Sequence, residues 1–269
     1  MAVVALHSAA TGLSALNTEL EVIAHNLANV NTQGFKGSRV NFQDLLYQEK
    51  ALPGVENANG DERPTGLYVG LGVRVSGTQL DFALGAPLNT GRELDVLIDG
   101  DGFFQVSIED DRGANGIGFT RAGNLAINSE GELVLATDQG RRIQPTITIP
   151  EDAISVGIGN DGAVTVLQPG QNEPTEVGRI ELANFINPQG LKQIAENLFV
   201  ETGASGPAIT GEPATSNFGR LQQGFIEGSN VDPTLELIKL IRTQRAFEMN
   251  SNVIRAADET MRAVANLRR

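Results

Sequence analysis

Leu6, Leu13, Leu20 and Leu27 stand seven residues apart, and Ala9, Leu16, Ile23 and Val30 follow each of them by three. The same spacing returns at the other end. Leu240, Phe247, Ile254 and Met261 are seven apart, with Asn250, Ala257 and Val264 three residues after the last three. A narrow apolar seam repeating in heptads is what a helix needs to pack along another helix. The first helix is expected from Ala2 to about Asn29, roughly 40 Å at 1.5 Å per residue. It stops at Asn31-Thr32-Gln33-Gly34, where a glycine takes the left-handed conformation that ends helices. Asp232 caps the second helix and Pro233 opens it, with the run expected to reach about Leu267. Each seam is too narrow to form a globular core alone. The two ends are therefore expected to pair with one another or with further copies, and to be poorly ordered in a free monomer.

Between the ends the period falls to two. Val69, Leu71, Val73 and Val75 alternate with Gly70, Gly72 and Arg74, and Leu94, Val96 and Ile98 alternate with Asp95 and Leu97. Asp99-Gly100-Asp101-Gly102, Asn115-Gly116, Glu130-Gly131 and Asp161-Gly162 punctuate runs such as Leu133-Val134-Leu135, Ile147-Thr148-Ile149 and Val164-Thr165-Val166. This spacing predicts hairpins in a mostly antiparallel β domain. Thr202 to Gly219 is expected to be an extended surface segment. The fold class is α+β: a discontinuous, coiled-coil-like helical domain from residues 1–35 and 230–269, with a β-rich domain inserted at 71–229. Residues 36–70 read as an irregular linker. Phe42, Leu45, Leu46 and Tyr47 form an apolar cluster there, followed by Pro53, Gly54, Asn57, Asn59, Gly60, Pro64 and Gly66.

Composition narrows the function. The chain has 269 residues, no cysteine and a net charge of -13. Thiolate chemistry, disulfides and zinc-thiolate sites are excluded. The acidic balance makes nucleic acid a poor partner, because phosphate attraction would have the wrong sign. The apolar start is periodic and lacks a basic n-region, so a cleaved signal is not expected, and no window is apolar enough to span a membrane.

Candidate chemistry is thin. Asp99 and Asp101 resemble part of a calcium loop, but the remaining ligands are missing, so a tight hairpin turn is the reading adopted. Gly66, Gly70 and Gly72 lack the strand-loop-helix setting of a phosphate cradle. His7 and His25 are too far apart on one helix to share a metal. Glu109, Asp110 and Asp111 read as a solvated loop. No catalytic, cofactor-binding or metal-binding residue is assigned, and no enzymatic activity is expected.

Several long motifs then bear on one family. Leu13-Ser14-Ala15 with Asn26-Leu27-Ala28-Asn29-Val30-Asn31-Thr32-Gln33-Gly34-Phe35-Lys36 resembles the N-terminal signature of the bacterial flagellar rod and hook proteins. The stretch from Leu94 to Val106, containing Gly102, Phe103 and Phe104, is similar to their central motif, and Phe119-Thr120-Arg121-Ala122-Gly123-Asn124 follows as it does there. Glu227-Gly228-Ser229-Asn230-Val231-Asp232 and Gln244-Arg245-Ala246-Phe247-Glu248-Met249-Asn250 resemble their C-terminal signature. Length and the linker after the first helix place the chain nearest the distal-rod branch, with proximal-rod or hook-type membership as the alternative.

The resemblance implies a non-enzymatic axial subunit that polymerises helically into a hollow periplasmic shaft of the basal body. It implies partners: further copies, proximal rod, hook, the peptidoglycan and outer-membrane rings, and the flagellar type III export apparatus. Leu6, Leu13, Leu16, Leu20, Ile23, Leu27, Leu240, Phe247, Ile254 and Met261 are then the candidate assembly residues. The 36–70 segment is the candidate stiffening element. A secreted surface-binding β module with helical oligomerisation ends is the non-flagellar alternative. The absence of Trp and the presence of only two Tyr weigh against it.

Overall fold

A computed structural model describes residues 2–54, 62–109, 116–171, 173–215 and 217–267. Asn57, Asn59, Gly60, Asp110, Asp111 and Asn115, used in the sequence reading, lie outside the described residues. The chain forms two compact units. One takes Met1–Ala28, Ser38–Gln79 and Asp232–Arg269, and the other takes Asn29–Gly37 and Leu80–Val231.

The first unit holds both helices, α1 (Ala2–Ala28) and α2 (Pro233–Leu267), packed along each other. Their 27 and 35 residues make them about 40 and 53 Å long. Asp232 Oδ1 accepts the amides of Thr234 at 2.8 Å and Leu235 at 3.3 Å, satisfying two donors that a helix start leaves unpaired. The helices carry a β ribbon: β1 (Ser38–Asp44), β2 (Tyr47–Ala51), β3 (Leu67–Gly70) and β4 (Val73–Leu80). β1 pairs with β4, and β2 pairs antiparallel with β3 across a bulge at Glu49/Ala51. Among its described residues, the segment expected to be irregular therefore lies mostly in β1, β2 and β3. Its partners lie on the far side of the turn-rich stretch, out of reach of a local pattern. The alternating run from Val69 to Val75, which reads as one strand, is broken at Leu71-Gly72. There Gly72 has φ +113° and lies against Thr11 of α1, where a Cβ would stand 2.1 Å from the hydroxyl oxygen.

The second unit contains β5 (Pro87–Asn89), β6 (Val96–Asp99), β7 (Phe103–Ser107), β8 (Ile117–Thr120), β9 (Leu125–Ile127), β10 (Leu133–Leu135), β11 (Ile143–Gln144) and β12 (Ser155–Ile158). It continues with β13 (Ala163–Leu167), β14 (Thr175–Arg179), β15 (Leu182–Asn184), β16 (Lys192–Gln193), β17 (Leu198–Val200), β18 (Ile209–Gly211), β19 (Arg220–Gln223) and β20 (Phe225–Glu227). The largest sheet runs β16-β17-β8-β7-β15-β18, with β11 also on β7. Hairpins form at Glu130-Gly131 and Asp161-Gly162, whose glycines have φ of +77° and +84°.

Asp99–Gly102 is not a hairpin turn. β6 pairs with β19 and β7 pairs with β8, so the turn carries the chain from one sheet to another. The stretch from Thr202 to Gly219 includes β18, which joins the sheet on β15. Phe103 and Phe104 point to opposite faces of β7, as period two requires, and each enters a different core. Phe104 joins Val96, Leu125, Ile143, Val164 and Leu182; Phe103 joins Leu80, Phe119, Phe185, Leu191 and Phe199. In the second core, edge-to-face contacts run from Phe82 to Phe103 at 5.4 Å and from Phe119 to Phe185 at 4.8 Å.

Candidate functional site

The first unit has little core of its own. Among the described residues its buried apolar side chains are Ala9, Ala15 and Ile23, all on α1. Leu6, Leu13, Leu16, Leu20 and Leu27 are only half-buried, as are Leu240 and Ile254, while Phe247 and Met261 are exposed. On α2 the positions that are not exposed are Glu236, Leu240, Thr243, Ala246, Asn250, Ser251, Ile254, Ala257 and Asp258 among the described residues. Leu240, Asn250, Ile254 and Ala257 of the expected seam lie among them, whereas Phe247, Met261 and Val264 are exposed, and the buried positions Glu236 and Thr243 are polar. Glu236 binds Lys239 at 2.6 Å, and the Thr243 hydroxyl donates to the Lys239 carbonyl at 2.9 Å. These two were missed because a polar residue carries no signal in an apolar pattern. Leu235, Leu237, Ile238, Ile241, Met249, Val253 and Val264 leave a further apolar face of α2 in solvent. On the ribbon, Leu46 is 83% exposed, and Phe42, Tyr47, Leu52, Leu67 and Tyr68 are also exposed, while Leu45 is half-buried. Exposed apolar residues on this scale mark contact surfaces.

The motif residues do different work. Asn26, buried on α1, accepts the Ser38 amide at 3.0 Å and donates to the Ser38 carbonyl at 2.8 Å, tying the helix to the start of β1. The Asn29 side chain accepts from the Thr32 hydroxyl at 3.1 Å, and Asn31 is exposed. Gly34 has φ +65°, and a Cβ there would meet the Ala122 amide nitrogen at 2.7 Å. That close approach and positive φ make the glycine obligatory. The Ser229 hydroxyl accepts the Val231 amide at 3.3 Å, and Val231 itself is half-exposed.

Phe35 and Lys36 enter the second unit beside the C-terminal signature. The Lys36 side chain is fully buried. Its Nζ donates to Glu227 Oε1 at 2.5 Å and to the Ala83 carbonyl at 2.7 Å. Glu227, also fully buried, accepts the Gly85 amide at 2.9 Å on the same oxygen, and Arg121 Nε stands 3.5 Å from its Oε2. Arg121 donates to the Gly100 carbonyl at 2.8 Å and lies over the Phe103 ring, 5.6 Å from its centroid. Asn230 accepts the Gly37 amide at 2.8 Å and donates to the Asp81 carbonyl at 2.8 Å. Burial pulls the Lys36 ammonium below the ordinary lysine value, against the opposing pull of Glu227; burial likewise lowers Arg121. A buried ionic clasp thus joins three of the sequence motifs within one unit. Glu227 and Arg121 stood in those motifs but had no sequence signal marking them as partners of Lys36.

The motifs match known families across the chain. Residues 6–36 match the family described as flagella basal body rod protein, 97–166 the flagellar hook protein FlgE/F/G D1 domain, and 222–267 the flagellar basal body rod FlgEFG protein C-terminal family. The flagellar basal-body rod protein FlgG of Caulobacter vibrioides is 43% identical, covering 98% of this chain and 99% of its own. The FlgG of Borreliella burgdorferi is 42% identical over 98% of both chains, and that of Bacillus subtilis 37% over 98% of both. The chain belongs to the FlgG family of flagellar rod proteins. The hook protein FlgE of Salmonella typhimurium is 41% identical, but over 44% of this chain and 29% of its own length. FlgG-type relatives thus match end to end, whereas the hook protein matches in part. Gly34, Phe35, Lys36 and Gly37 bond to Glu227 and Asn230 in the second unit, whereas the Ser229 hydroxyl bonds locally, to Val231. No helix among the described residues is long and apolar enough to cross a membrane.

Proposed function

We infer that this chain is a structural subunit of the flagellar distal rod. Copies stack helically into the hollow shaft that carries torque from motor to hook in the basal body. The observation that carries this reading, beside the end-to-end relation to FlgG proteins, is the unfinished first unit. Among the described residues its helices bury only Ala9, Ala15 and Ile23 as apolar core, and they leave long apolar faces in solvent. Such faces gain roughly 25 cal/mol per Å2 when covered. A head-to-tail contact that does not close on itself builds a filament.

The assembly contacts are assigned to the helix seams: Leu6, Leu13, Leu16, Leu20, Ile23 and Leu27 on α1, and Leu240, Phe247, Ile254 and Met261 on α2. The ribbon residues Phe42, Leu45, Leu46 and Tyr47 are assigned to a neighbouring copy, where they stiffen the shaft. The remaining partners are the proximal rod below and the hook above, with the peptidoglycan and outer-membrane rings around the shaft. The flagellar type III apparatus exports the subunit. The role requires no enzymatic activity and no cofactor.

The test is polymerisation of the purified protein at high concentration, observed by electron microscopy. The parent is expected to form shafts. Leu13→Ala/Leu20→Ala and Phe247→Ala/Ile254→Ala should keep a folded second unit and form none, since truncating a large apolar residue costs about 2–5 kcal/mol where it is buried. Normal shafts from both double variants would overturn the assignment of the seams.

A further inference from the structure

The Lys36–Glu227–Arg121 clasp lies in the second unit. Its members are far apart in the chain: 191 residues separate Lys36 from Glu227. Around them run backbone bonds of two kinds. The Asp81 amide donates to the Gly37 carbonyl at 2.8 Å, which needs only the N-terminal half of the chain. The Gly34 amide donates to the Glu227 carbonyl at 2.8 Å, and the Gly228 amide donates to the Ala86 carbonyl at 2.9 Å. Those two form only once the C-terminal segment is in place, as does the pairing of β20 with β5.

Without Glu227, closing this seam would enclose two cations with no buried counter-charge, leaving only the exposed Asp81 to act on Lys36 and the exposed Asp101 on Arg121. Lys36 would keep only the Ala83 carbonyl. Arg121 would keep the Gly100 carbonyl and the Phe103 ring. Burying an uncompensated charge is strongly unfavourable, far more so than leaving it hydrated. Even in the closed state the fit is not saturated, because among the described residues Arg121 Nη1 and Glu227 Oε2 make no hydrogen bond. An apolar trio of similar size would close sooner and on any apolar segment. Charge at this position therefore serves selection more than stability.

We propose that Lys36 and Arg121 act as a closure lock. The two cations keep the seam between residues 29–37 and 81–86 open and hydrated until the Glu227 carboxylate arrives from the far end of the chain. The seam then shuts in one step, and only on a segment carrying that acid. The second unit is completed last, after both chain ends are available, which delays its final packing in a protein whose helices also await partners.

Pulsed hydrogen exchange during refolding of the full chain tests this. In the parent, the Asp81 amide should gain protection in the same kinetic phase as the Gly34 and Gly228 amides. In Lys36→Met/Arg121→Met/Glu227→Met the charges are gone, and Asp81 should be protected at least tenfold faster than Gly228. Earlier protection of Asp81 in the parent would overturn the proposal, as would a single shared phase in the triple variant. If the triple variant does not reach the native state, the order of protection in the parent decides alone.

Discussion

The burial of Lys36 and Glu227 and the space around two glycines set what single residues do in this protein. Glu227 is the buried acid that meets both cations, so Glu227→Ala leaves them with the exposed Asp81 and Asp101 alone. We predict a loss of about 3–5 kcal/mol in the stability of the second unit, read from its denaturant midpoint at neutral pH. A loss under about 1 kcal/mol would mean that the clasp opens to water without resistance. Gly123 is constrained differently. A Cβ there would lie 1.7 Å from the Val96 carbonyl oxygen, a backbone atom that cannot step aside, while one at Gly77 meets nothing within 4 Å. Gly123→Ala should therefore cost about 1–3 kcal/mol or more, and Gly77→Ala should stay within about 0.5 kcal/mol, as exposed sites do. Thermal unfolding of the two variants side by side checks the contrast.

Helix and ribbon behave as elements whose starts are set locally and whose faces are not. The Asp232 side chain holds two amides at the start of α2. Asp232→Ala should cost about 1 kcal/mol of local helix stability. Hydrogen exchange at Thr234 and Leu235 should speed up, while exchange in β7 and β8 stays unchanged. Uniform acceleration across both regions would show that the cap acts on the whole protein instead. The apolar stripes follow the same division. Heptad spacing picks out Leu240, Asn250, Ile254 and Ala257, which are half-buried on α2, together with the exposed Phe247 and Met261, whereas the exposed face with Leu235, Ile238, Ile241 and Met249 becomes visible only in the folded chain. The ribbon shows the limit of local reading more sharply. β1 to β3 lie in the stretch 36–70 that reads as irregular, because each strand's hydrogen-bond partner lies tens of residues away.

At the scale of the whole molecule the two units differ in how much core they own. The second contains both apolar clusters, and the first holds few buried apolar side chains. In dilute monomer, amides of α1 and α2 should exchange faster than those of β7, β8 and β15, and assembly into shafts should slow them. Equal protection of helices and sheet in the monomer would show that the helix pair is stable without partners. The ribbon bears on stiffness. A shaft held by coaxial helices alone can slide along its seams, and an apolar arm docked on the next copy blocks that sliding. Removing residues 50–66, of which 55–61 lie outside the described residues, should leave shafts that form but bend more. Persistence length in electron micrographs is the measure, and unchanged stiffness would refute the assignment.

Local chemistry in the sequence was enough to place both helices, the cap at Asp232, and the hairpins at Glu130-Gly131 and Asp161-Gly162. Each depends on residues within a few positions of one another: a heptad period, a capping carboxylate, a glycine with positive φ. The ordered motifs at both ends and in the middle also carried the family resemblance. Tertiary structure decided what depends on distant partners. The Asp99–Gly102 turn looks like a hairpin until β6 is found on β19 and β7 on β8, since strand pairing is a hydrogen bond between separate stretches of chain. Lys36, Arg121 and Glu227 stand in the family motifs with no local mark of burial, because a charged side chain leaves water only where a counter-charge meets it in the interior. Only the folding of residues 29–37 and 224–231 into one unit brings these three together.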